Sequence, residues 1–347
     1  MIEATNRCNT RCMHCPHESI TRPMGMMTWG DYQVIADKIL AYGRTRMVDF
    51  TGMGEPILNP NLARFIEYLK GRLTTWITTN ASALTSRNID KLIEAGLGTI
   101  VVSFNGADAA TYELMMGGLS FQRAQAHLQD LVQRATGRIK IMANVSVTQQ
   151  TRSQLKEIRR YLENIGVSEV NFSLCHSRGG HLKDRGICTT LMPPISLERC
   201  DVFHDTLFVA WNGDVLACCQ DLDGVARLGN LVTDSLVGID QFKSSLQGKG
   251  AAFAMCAECN DMYRFSHDST PDGQPLSEWI YELYAAESEP SARLVNLVHQ
   301  REAQLREAEQ RARKTEELVA AYERGRFVRF MRTIKKLIPS RPSLRKT

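Results

Sequence analysis

The first residues with recognisable chemistry are three cysteines near the start of the chain. Cys8, Cys12 and Cys15 have the spacing C-x3-C-x2-C and follow a short apolar and polar stretch at 2–5. Three thiolates in one tight loop can hold three corners of an iron–sulfur cube, whereas four cysteines usually hold such a cluster. The remaining iron would be open to a ligand other than cysteine. We therefore expect the chemistry of the protein at that open iron.

A zinc knuckle is the alternative interpretation of this loop. Structural zinc normally takes four protein ligands. No fourth cysteine lies close in the sequence, so His14 or His17 would have to complete the site. Such a zinc ion would have no open coordination position, and the two interpretations therefore predict different functions.

A second group of cysteines lies in the C-terminal half. Cys200 and Cys218 are separated by 17 residues, and Cys256 and Cys259 form a C-x2-C pair. A hairpin predicted between the first two would help to bring four thiolates together. A site closed by four thiolates suits an iron–sulfur cluster that passes electrons, or a structural zinc ion. Cys219 could replace Cys218 as a ligand, and the sequence does not choose between them.

Glycines and small polar residues follow three of the predicted strands and are candidates for ligand binding. A glycine at the end of a strand lets a ligand approach the backbone closely, and an acidic residue complements a cation. The alternative is that these residues only form turns. The candidates are Gly52, Gly54, Glu55, Asn80, Ser103 and Asn105.

The elements that must position these residues alternate between strand and helix patterns. This alternation argues for parallel strands joined by crossover helices. About six β/α units are predicted, too few for a closed eightfold barrel. We therefore expect an α/β fold, a partial (β/α)6 TIM-like barrel with its reactive face at the C-terminal ends of the strands. Predicted strands lie at 2–5, 47–51, 75–79, 99–104, 139–147 and 169–174, and predicted helices at 29–42, 61–69, 86–95, 121–135 and 152–165.

The remaining sequence predicts a small domain and a helical extension. Glycines and prolines between 176 and 199 indicate a linker, and the Asn-Gly-Asp sequence at 212–214 predicts the turn of a hairpin. From about 276 to 338 the sequence is almost wholly helical in character. The predicted domains are 1–185 for the partial barrel, 186–270 for the small domain and 271–347 for the helical extension with a basic tail.

Composition limits the cellular setting. The chain has 347 residues, 43% of them hydrophobic, and ten cysteines, with no N-terminal apolar signal segment and no long apolar run. We therefore expect a cytoplasmic protein without a transmembrane helix. In a reducing compartment, clustered cysteines more often bind metal than form disulfides.

The C-terminal tail carries much of the positive charge. The formal net charge is +4, and nine Lys or Arg with no acidic residue lie between 324 and 347. An apolar stripe along the same predicted helix favours an anionic membrane surface or a protein groove over nucleic acid. We expect no nucleic-acid partner, and a tail that contacts the inner face of a membrane, a protein partner or the core.

The cysteine triplet and the strand-end residues resemble the radical S-adenosylmethionine (SAM) superfamily. The triplet matches its signature, and Gly54-Glu55-Pro56 matches part of its G-G-E-P motif, with Met53 in place of a glycine. In that family the open iron binds SAM, and the cluster cleaves it to a 5′-deoxyadenosyl radical that abstracts hydrogen from a substrate. The resemblance implies a [4Fe–4S] cluster on the triplet and SAM contacts from the strand-end candidates. It also implies a contact from His14, where the family usually has an aromatic residue.

The second cysteine group resembles the SPASM/twitch class of C-terminal extensions in the same superfamily. The sequences at 212–219 and 228–231 look like that class, and the cysteine spacing is closest to that of the 2-deoxy-scyllo-inosamine dehydrogenases. No cysteine follows Cys259, so one auxiliary [4Fe–4S] cluster is implied rather than the two of a full SPASM domain. The implied ligands are Cys200, Cys218, Cys256 and Cys259, and the resemblance covers about residues 1–265.

The reaction hypothesis depends on the auxiliary cluster. With four thiolate ligands it would have no open iron and would suit electron transfer. We therefore expect a two-electron oxidation of a hydroxyl-bearing small molecule, similar to a sugar or cyclitol, with the auxiliary cluster as electron acceptor. The alternatives are a peptide-modifying maturase, an epimerase and a non-catalytic metal-binding scaffold.

Two residues after the last predicted strand of the barrel are candidate catalytic residues. Cys175 could donate a hydrogen atom to a substrate radical, as in radical SAM epimerases, although a buried cysteine is commonly a small hydrophobic residue. Arg178, with His176 and Lys183 beside it, could contact an anionic or hydroxylated substrate or accept a proton. The resemblance also implies a flavodoxin-like or ferredoxin-like electron donor.

Overall fold

The computed structural model describes residues 1–182, 187, 200–246, 253–261, 274–285 and 315. The chain divides into two compact units, Met1–Ser288 and Glu289–Thr347, and every element below belongs to the first. Lys183, the basic tail and the predicted helix beyond 285 lie outside the described residues, apart from Thr315. Within the described ranges, no helix is long and apolar enough to cross a membrane.

Five parallel strands form the main sheet. They are β1 (Met47–Asp49), β2 (Thr74–Thr79), β3 (Thr99–Ser103), β4 (Lys140–Val147) and β5 (Glu169–Leu174). They lie side by side in chain order, as expected when each strand is followed by a crossover to its immediate neighbour. The register places Thr79 beside Val102 and Ser103 beside Asn144. The C-terminal ends of the strands therefore lie along one edge of the sheet.

Helices connect these strands and cover one face of the sheet. They are α1 (Trp29–Tyr42), α2 (Leu62–Leu69), α3 (Ser86–Ala95), α4 (Ala109–Met115), α5 (Phe121–Ala135) and α6 (Leu155–Asn164). Right-handed crossovers bring successive helices to the same face, and α3 packs against both α2 and α5. The predicted α/β fold, an open barrel of parallel strands, is confirmed.

The first predicted strand, at 2–5, is the main difference from the expected six units. Ile2 N donates a hydrogen bond to Asp49 O in β1 at 2.8 Å, but Ile2 also forms a parallel bridge to Val209 and Thr5 an antiparallel bridge to Met26. The segment is divided between three neighbours and pairs continuously with none of them. It lies beside β1 without becoming a strand of the main sheet.

A small antiparallel sheet follows the barrel. Its strands β6 (Phe208–Val209), β7 (Asp214–Leu216) and β8 (Arg227–Asn230) lie in chain order. The first two form the predicted hairpin, and Gly213 in its turn has a φ of 87°, which favours glycine. Short helices accompany this sheet: α7 (Asp201–Asp205), α8 (Leu236–Ser245) and α9 (Ala254–Ala257).

A further helix, α10 (Leu276–Ala285), packs against β5 at the end of the main sheet. Ser277 Oγ accepts a hydrogen bond from Phe172 N in β5 at 2.7 Å. Arg159 of α6 forms an ion pair with Glu278 at 2.8 Å and lies over the ring of Tyr281. These contacts attach the helix to the last β/α unit of the barrel.

Candidate active site

The cysteine loop, residues 8–15, is fixed by backbone hydrogen bonds to the chain at the end of α4. Arg11 N donates to Gly117 O and Met13 N donates to Met115 O, both at 3.0 Å. Within the loop, Cys15 N donates a hydrogen bond to Cys12 O at 3.1 Å. The three predicted metal ligands therefore lie on one short segment that is held at two points.

Helix α4 positions this loop, and the sequence patterns did not predict it. Asp108 caps the helix by accepting a hydrogen bond from Thr111 N at 2.8 Å, and this capping residue is the signal that could have identified it. A Cβ at Gly117 would lie 2.5 Å from Arg11 O. Only glycine lets the chain after α4 approach the cysteine loop this closely.

The cysteine sulfurs of the loop are half-buried and interact with one another. Burial raises the pKa of Cys12 to about 12, with smaller contributions from the charges of Cys15 and Cys8, while a hydrogen bond with Thr10 lowers it. Burial is also the main cause of the raised pKa of Cys8. The thiols of Cys8 and Cys12 therefore resist ionisation by themselves, and a bound cation would hold them as thiolates at neutral pH.

Glu55 follows β1, and its carboxylate is buried. It accepts hydrogen bonds from Thr79 Oγ1 at 2.8 Å, Asn80 N at 2.7 Å and Ile57 N at 3.2 Å. Burial raises the pKa of Glu55 to about 7, although these hydrogen bonds oppose the shift. A carboxylate that titrates near neutrality at a strand end is suited to receive an N–H donor of a ligand.

Gly52 and Gly54 lie where the chain passes close to the N-terminal segment. A Cβ at Gly54 would lie 2.5 Å from Arg7 O, and a Cβ at Gly52 would lie 2.7 Å from Glu3 Cβ. Met53, which stands where the family often has a glycine, is buried, and its N–H donates to Glu3 Oε1 at 3.0 Å. Gly54 is therefore required for close packing against the backbone before the cysteine loop, and Gly52 for close packing against the side chain of Glu3.

Asn80 connects the turn of Glu55 with the cysteine loop. Its backbone N–H donates to Glu55 Oε2, while its side-chain Nδ2 lies 3.1 Å from Asn9 Oδ1 and 3.9 Å from Cys8 Sγ. A cavity of about 180 Å³ lies next to Asn9 and Asn80 and is also lined by Arg123. Two of the predicted groups, the glycine-rich turn and the first cysteine, therefore meet at this residue.

Ser103 is the last residue of β3 and Asn105 lies two residues beyond it, in a different environment. Asn105 is fully buried; its Oδ1 accepts a hydrogen bond from Ser146 N at 2.6 Å, and its Nδ2 lies 3.1 Å from Met116 Sδ. Its side chain thus joins β3 to β4 and to the end of α4. Ser103 is only half-buried and is the more accessible of the two to a ligand.

His14 lies in the cysteine loop with an unused polar atom. Its Nδ1 is buried and has no hydrogen-bond partner among the residues that the structure describes. Burial lowers the pKa of His14 to about 4, and the charge of Arg178 lowers it as well, so the imidazole is neutral at pH 7. This ring nitrogen is therefore available to a bound ligand.

The loop after β5 contains both candidate catalytic residues. Cys175 is buried in an apolar cluster with Leu182 and Ile187, against which Met13 of the cysteine loop packs. Arg178 has a left-handed backbone with φ of 51°, a conformation that is costly for a residue other than glycine. The loop thus brings a thiol and a guanidinium close to the cysteine triplet.

The same loop also contacts the segment of Cys256 and Cys259. Ser177 N donates to Asn260 Oδ1 at 2.6 Å, and Ser177 Oγ donates to Glu258 O at 2.5 Å. The charge of Arg178 acts on Cys219 as well as on the histidine of the first loop. The loop after β5 therefore lies between the two cysteine groups.

The second cysteine group is distributed over the elements of the small domain. Cys200 precedes α7, Cys218 follows β7, Cys256 lies in α9 and Cys259 follows it. Gln220 N donates a hydrogen bond to Cys218 Sγ at 3.4 Å. Lys243 is buried, which lowers its pKa, and the charges of Cys218 and Cys200 are among those that oppose this shift, so a buried cation lies near these two thiols.

Cys219 differs from Cys218 in its surroundings. It packs against the apolar cluster of Phe208, Ala210 and Leu216 and hydrogen-bonds to the neighbouring thiol. In the part of the chain that the structure describes, no three histidine, cysteine or carboxylate side chains converge closely enough to hold a single metal ion.

The donor set at the strand ends fits an iron–sulfur cluster with SAM. Three half-buried cysteines share one fixed loop. The same loop contains His14, whose Nδ1 has no hydrogen-bond partner among the described residues. Next to the loop lies the carboxylate of Glu55, with a pKa of about 7. At Gly54 the turn leaves no room for a side chain between the two backbone segments. The sequence patterns missed Thr10, whose hydroxyl lies 2.9 Å from Cys12 Sγ, because nothing in the spacing distinguishes it from the other loop residues.

Comparison with known protein families gives two matches. Residues 2–162 match the radical SAM superfamily, and residues 200–260 match SPASM, an iron–sulfur cluster-binding domain. A radical SAM domain binds SAM and a [4Fe–4S] cluster, and a SPASM domain binds auxiliary iron–sulfur clusters. The predicted cofactors, SAM and iron–sulfur clusters, are therefore confirmed.

Individual relatives are similar over part of their length. A tungsten-containing aldehyde ferredoxin oxidoreductase cofactor-modifying protein of Pyrococcus furiosus is 28% identical over 174 residues, covering 49% of each chain. The structure of BtrN in complex with AdoMet and 2-DOIA is 20% identical, with a TM-score of 0.51 over 75% of this chain and 92% of BtrN. Streptococcus suis SuiB bound to precursor peptide SuiA is 16% identical, with a TM-score of 0.57 over 74% of this chain and 68% of SuiB.

The chain spans about half the length of the curated relatives that it matches. At these identities the solved structures support the fold and leave the substrate open. The domain matches, the parallel sheet and the second, antiparallel sheet agree with one another. The chain therefore contains a radical SAM domain at 2–162, followed by a SPASM iron–sulfur cluster-binding domain at 200–260.

Proposed function

We propose that Cys8, Cys12 and Cys15 hold the [4Fe–4S] cluster that binds SAM. The observation that carries this assignment is the position of Asn80, which contacts both Cys8 Sγ and the carboxylate of Glu55. The residues of the SAM site would be Gly52, Gly54, Glu55, Asn80, Ser103 and His14, with Asn105 supporting the site from its buried position.

Each of these groups has a role that its geometry supports. Glu55 would accept a hydrogen bond from the amino group of SAM, since its carboxylate is buried and ionises near neutrality. His14 would offer to a donor group its Nδ1, which has no partner in the described part of the chain. Ser103 would reach the ligand directly, whereas Asn105 would keep the ends of β3 and β4 in register.

We assign Cys200, Cys218, Cys256 and Cys259 to one auxiliary [4Fe–4S] cluster. When bound, the two clusters and SAM supply a hydrogen-abstracting 5′-deoxyadenosyl radical and an acceptor for the electron that a substrate oxidation releases. The protein places the loop after β5 between the two cysteine groups, where a substrate would have access to both.

The proposed reaction is a two-electron oxidation of a hydroxyl-bearing small molecule, similar to a sugar or cyclitol. Its support is the auxiliary site with four thiolates and the similarity of the fold to BtrN, whose structure contains 2-DOIA. Arg178 would orient the substrate by donating hydrogen bonds to it, because its guanidinium lies near both cysteine groups. An electron donor similar to flavodoxin or ferredoxin would reduce the first cluster.

A peptide-modifying reaction is the second candidate, and the similarity to SuiB, solved with a precursor peptide, favours it. An epimerase would require Cys175 as hydrogen donor. The burial of Cys175 in an apolar cluster favours a structural role for that thiol.

SAM cleavage tests the proposed function. Protein reconstituted without oxygen and mixed with dithionite and SAM is expected to release 5′-deoxyadenosine, and Cys12→Ala is expected to abolish this release. Cys175→Ala serves as the matched cysteine control and should retain it. Equal release from wild type and Cys12→Ala would contradict the assignment of the triplet. Loss of substrate turnover in Cys175→Ala with intact SAM cleavage would favour epimerisation.

A further inference from the structure

Thr10 lies between Cys8 and Cys12 in the cysteine loop, and its hydroxyl points toward the sulfur of Cys12. Its Oγ1 is 2.9 Å from Cys12 Sγ, and Thr10 is only 6% exposed. Water therefore has little access to this contact. A hydroxyl that is held against a sulfur and shielded from solvent keeps its hydrogen bond in the folded protein.

Metal ligation fixes the direction of this hydrogen bond. A cysteine that binds iron is a thiolate and has no proton to donate. A threonine hydroxyl has one proton and can give it to one acceptor at a time. The competing acceptor, Met116 O, is farther away at 3.4 Å, so the proton of Thr10 goes to the sulfur.

The position of the hydroxyl is set by the backbone on its C-terminal side. Arg11 and Met13 donate their N–H groups to Gly117 O and Met115 O at the end of α4. Thr10 is therefore fixed by the same contacts that fix the cysteine loop, and its hydroxyl needs no rearrangement to reach the sulfur.

We propose that Thr10 donates a hydrogen bond to the Cys12 sulfur of the loaded protein and thereby makes the SAM-binding cluster easier to reduce. Reduction adds negative charge, which the cluster shares with its sulfurs. Hydrogen bonds to those sulfurs stabilise the reduced state and raise the reduction potential. Thr10 is thus a positioning residue that acts through its neighbour. This inference rests on the proposed assignment of the cysteine triplet.

Substitution of Thr10 in the reconstituted full chain tests the hydroxyl separately from the shape of the side chain. Thr10→Val keeps the shape and removes the donor, whereas Thr10→Ser keeps the donor. The readout is a redox titration followed by electron paramagnetic resonance. The SAM-binding cluster is identified as the signal that changes when SAM is added.

The expected result is a lower midpoint potential in Thr10→Val and a potential close to wild type in Thr10→Ser. We expect the ratio of reduced to oxidised cluster at a fixed solution potential to fall about tenfold in Thr10→Val, which is about 59 mV for one electron. An unchanged potential in Thr10→Val overturns the inference. An equal shift in Thr10→Ser also overturns it, because the hydroxyl is then not responsible.

Further measurements keep the inference testable if Thr10→Val does not assemble the cluster. Thr10→Ala then provides the same comparison. If that variant fails as well, wild-type protein exchanged into D2O is used, and the reduced cluster should show coupling to an exchangeable deuteron; absence of such coupling overturns the inference. Cys12→Ala separates the two claims: if the SAM-sensitive signal survives in Cys12→Ala, the proposed ligand assignment is wrong, whatever Thr10 does.

Discussion

Arg22 and Glu3 form a bidentate ion pair inside the protein. Arg22 Nη1 lies 2.6 Å from Glu3 Oε2, and Nη2 lies 2.6 Å from Oε1. Both side chains are nearly inaccessible to solvent, at 8% and 0% exposure. Arg22 Nε also donates to Leu222 O, and Glu3 accepts from Trp211 N. The pair therefore joins the start of the barrel to the small antiparallel sheet.

Removal of Arg22 is expected to destabilise the protein strongly. Arg22→Ala would leave the carboxylate of Glu3 buried without its partner, and breaking a buried pair in this way costs about 3 to 5 kcal/mol. The double variant Glu3→Gln with Arg22→Met, which leaves no unpaired charge, should lose less. Urea unfolding of the wild type, Arg22→Ala and the double variant measures the differences in the free energy of unfolding.

The matched control for this prediction is an exposed ion pair. Arg134 lies 3.2 Å from Asp90, and their side chains are 38% and 51% exposed. Arg134→Ala should therefore lower the free energy of unfolding much less than Arg22→Ala does. Similar losses for Arg22→Ala and Arg134→Ala would contradict the importance of the buried pair.

Gly54→Ala is expected to prevent SAM binding. The added Cβ would lie 2.5 Å from Arg7 O, so the backbone next to the first cysteine would have to move. Gly30→Ala is the control, because its Cβ would meet nothing closer than 3.9 Å and alanine is favoured over glycine in a helix by about 1 kcal/mol. Equilibrium dialysis with SAM should separate the two variants, and normal binding by Gly54→Ala would refute the prediction.

The pKa of Glu55 predicts a pH dependence for SAM affinity. Burial raises this pKa to about 7, so the carboxylate gains a proton as the pH falls from 8 to 6. Only the ionised form accepts hydrogen bonds with both oxygens, and affinity should therefore weaken over this range. Titration calorimetry at several pH values would measure it. Glu55→Gln should bind more weakly and lose this dependence; if it keeps the same dependence, another group is responsible.

Iron content distinguishes Cys218 from Cys219. Reconstituted wild type should hold about eight irons, four for each [4Fe–4S] cluster. Cys218→Ser should lose about four of them, whereas Cys219→Ser should lose none, because Cys219 packs in an apolar cluster and Gln220 N donates to the Cys218 sulfur. The opposite result would mean that Cys219, and not Cys218, is the ligand of the auxiliary cluster.

Local signals were sufficient to predict much of the barrel. The predicted helix at 29–42 has the bounds of α1, because Thr28 accepts a hydrogen bond from Asp31 N at its start and Gly43 adopts a φ of 70° at its end. The strand at 169–174 was predicted with the bounds of β5, whose residues alternate between buried and partly exposed. In such elements the sequence period and the caps agree with the tertiary structure.

The remaining features depend on contacts between distant residues. Helix α4 has seven residues, too few for a clear periodic pattern, and its position follows from pairing with the cysteine loop. The burial of the His14 ring and its proximity to Arg178 arise only when β5 is placed in the sheet. Ile2–Thr5 has the composition of a strand, but competition between β1 and the small sheet decides its pairing.

Helix α10 also affects association between copies of the protein. An unpaired strand edge is a template for strands of other molecules and favours aggregation. At the outer edge of β5, the N–H of Phe172 is already donated to Ser277 Oγ, and the ring of Tyr281 covers that of Phe172 at 4.9 Å. A shortened protein without this helix would offer the amide to a neighbouring molecule, so α10 helps to keep the barrel from self-association.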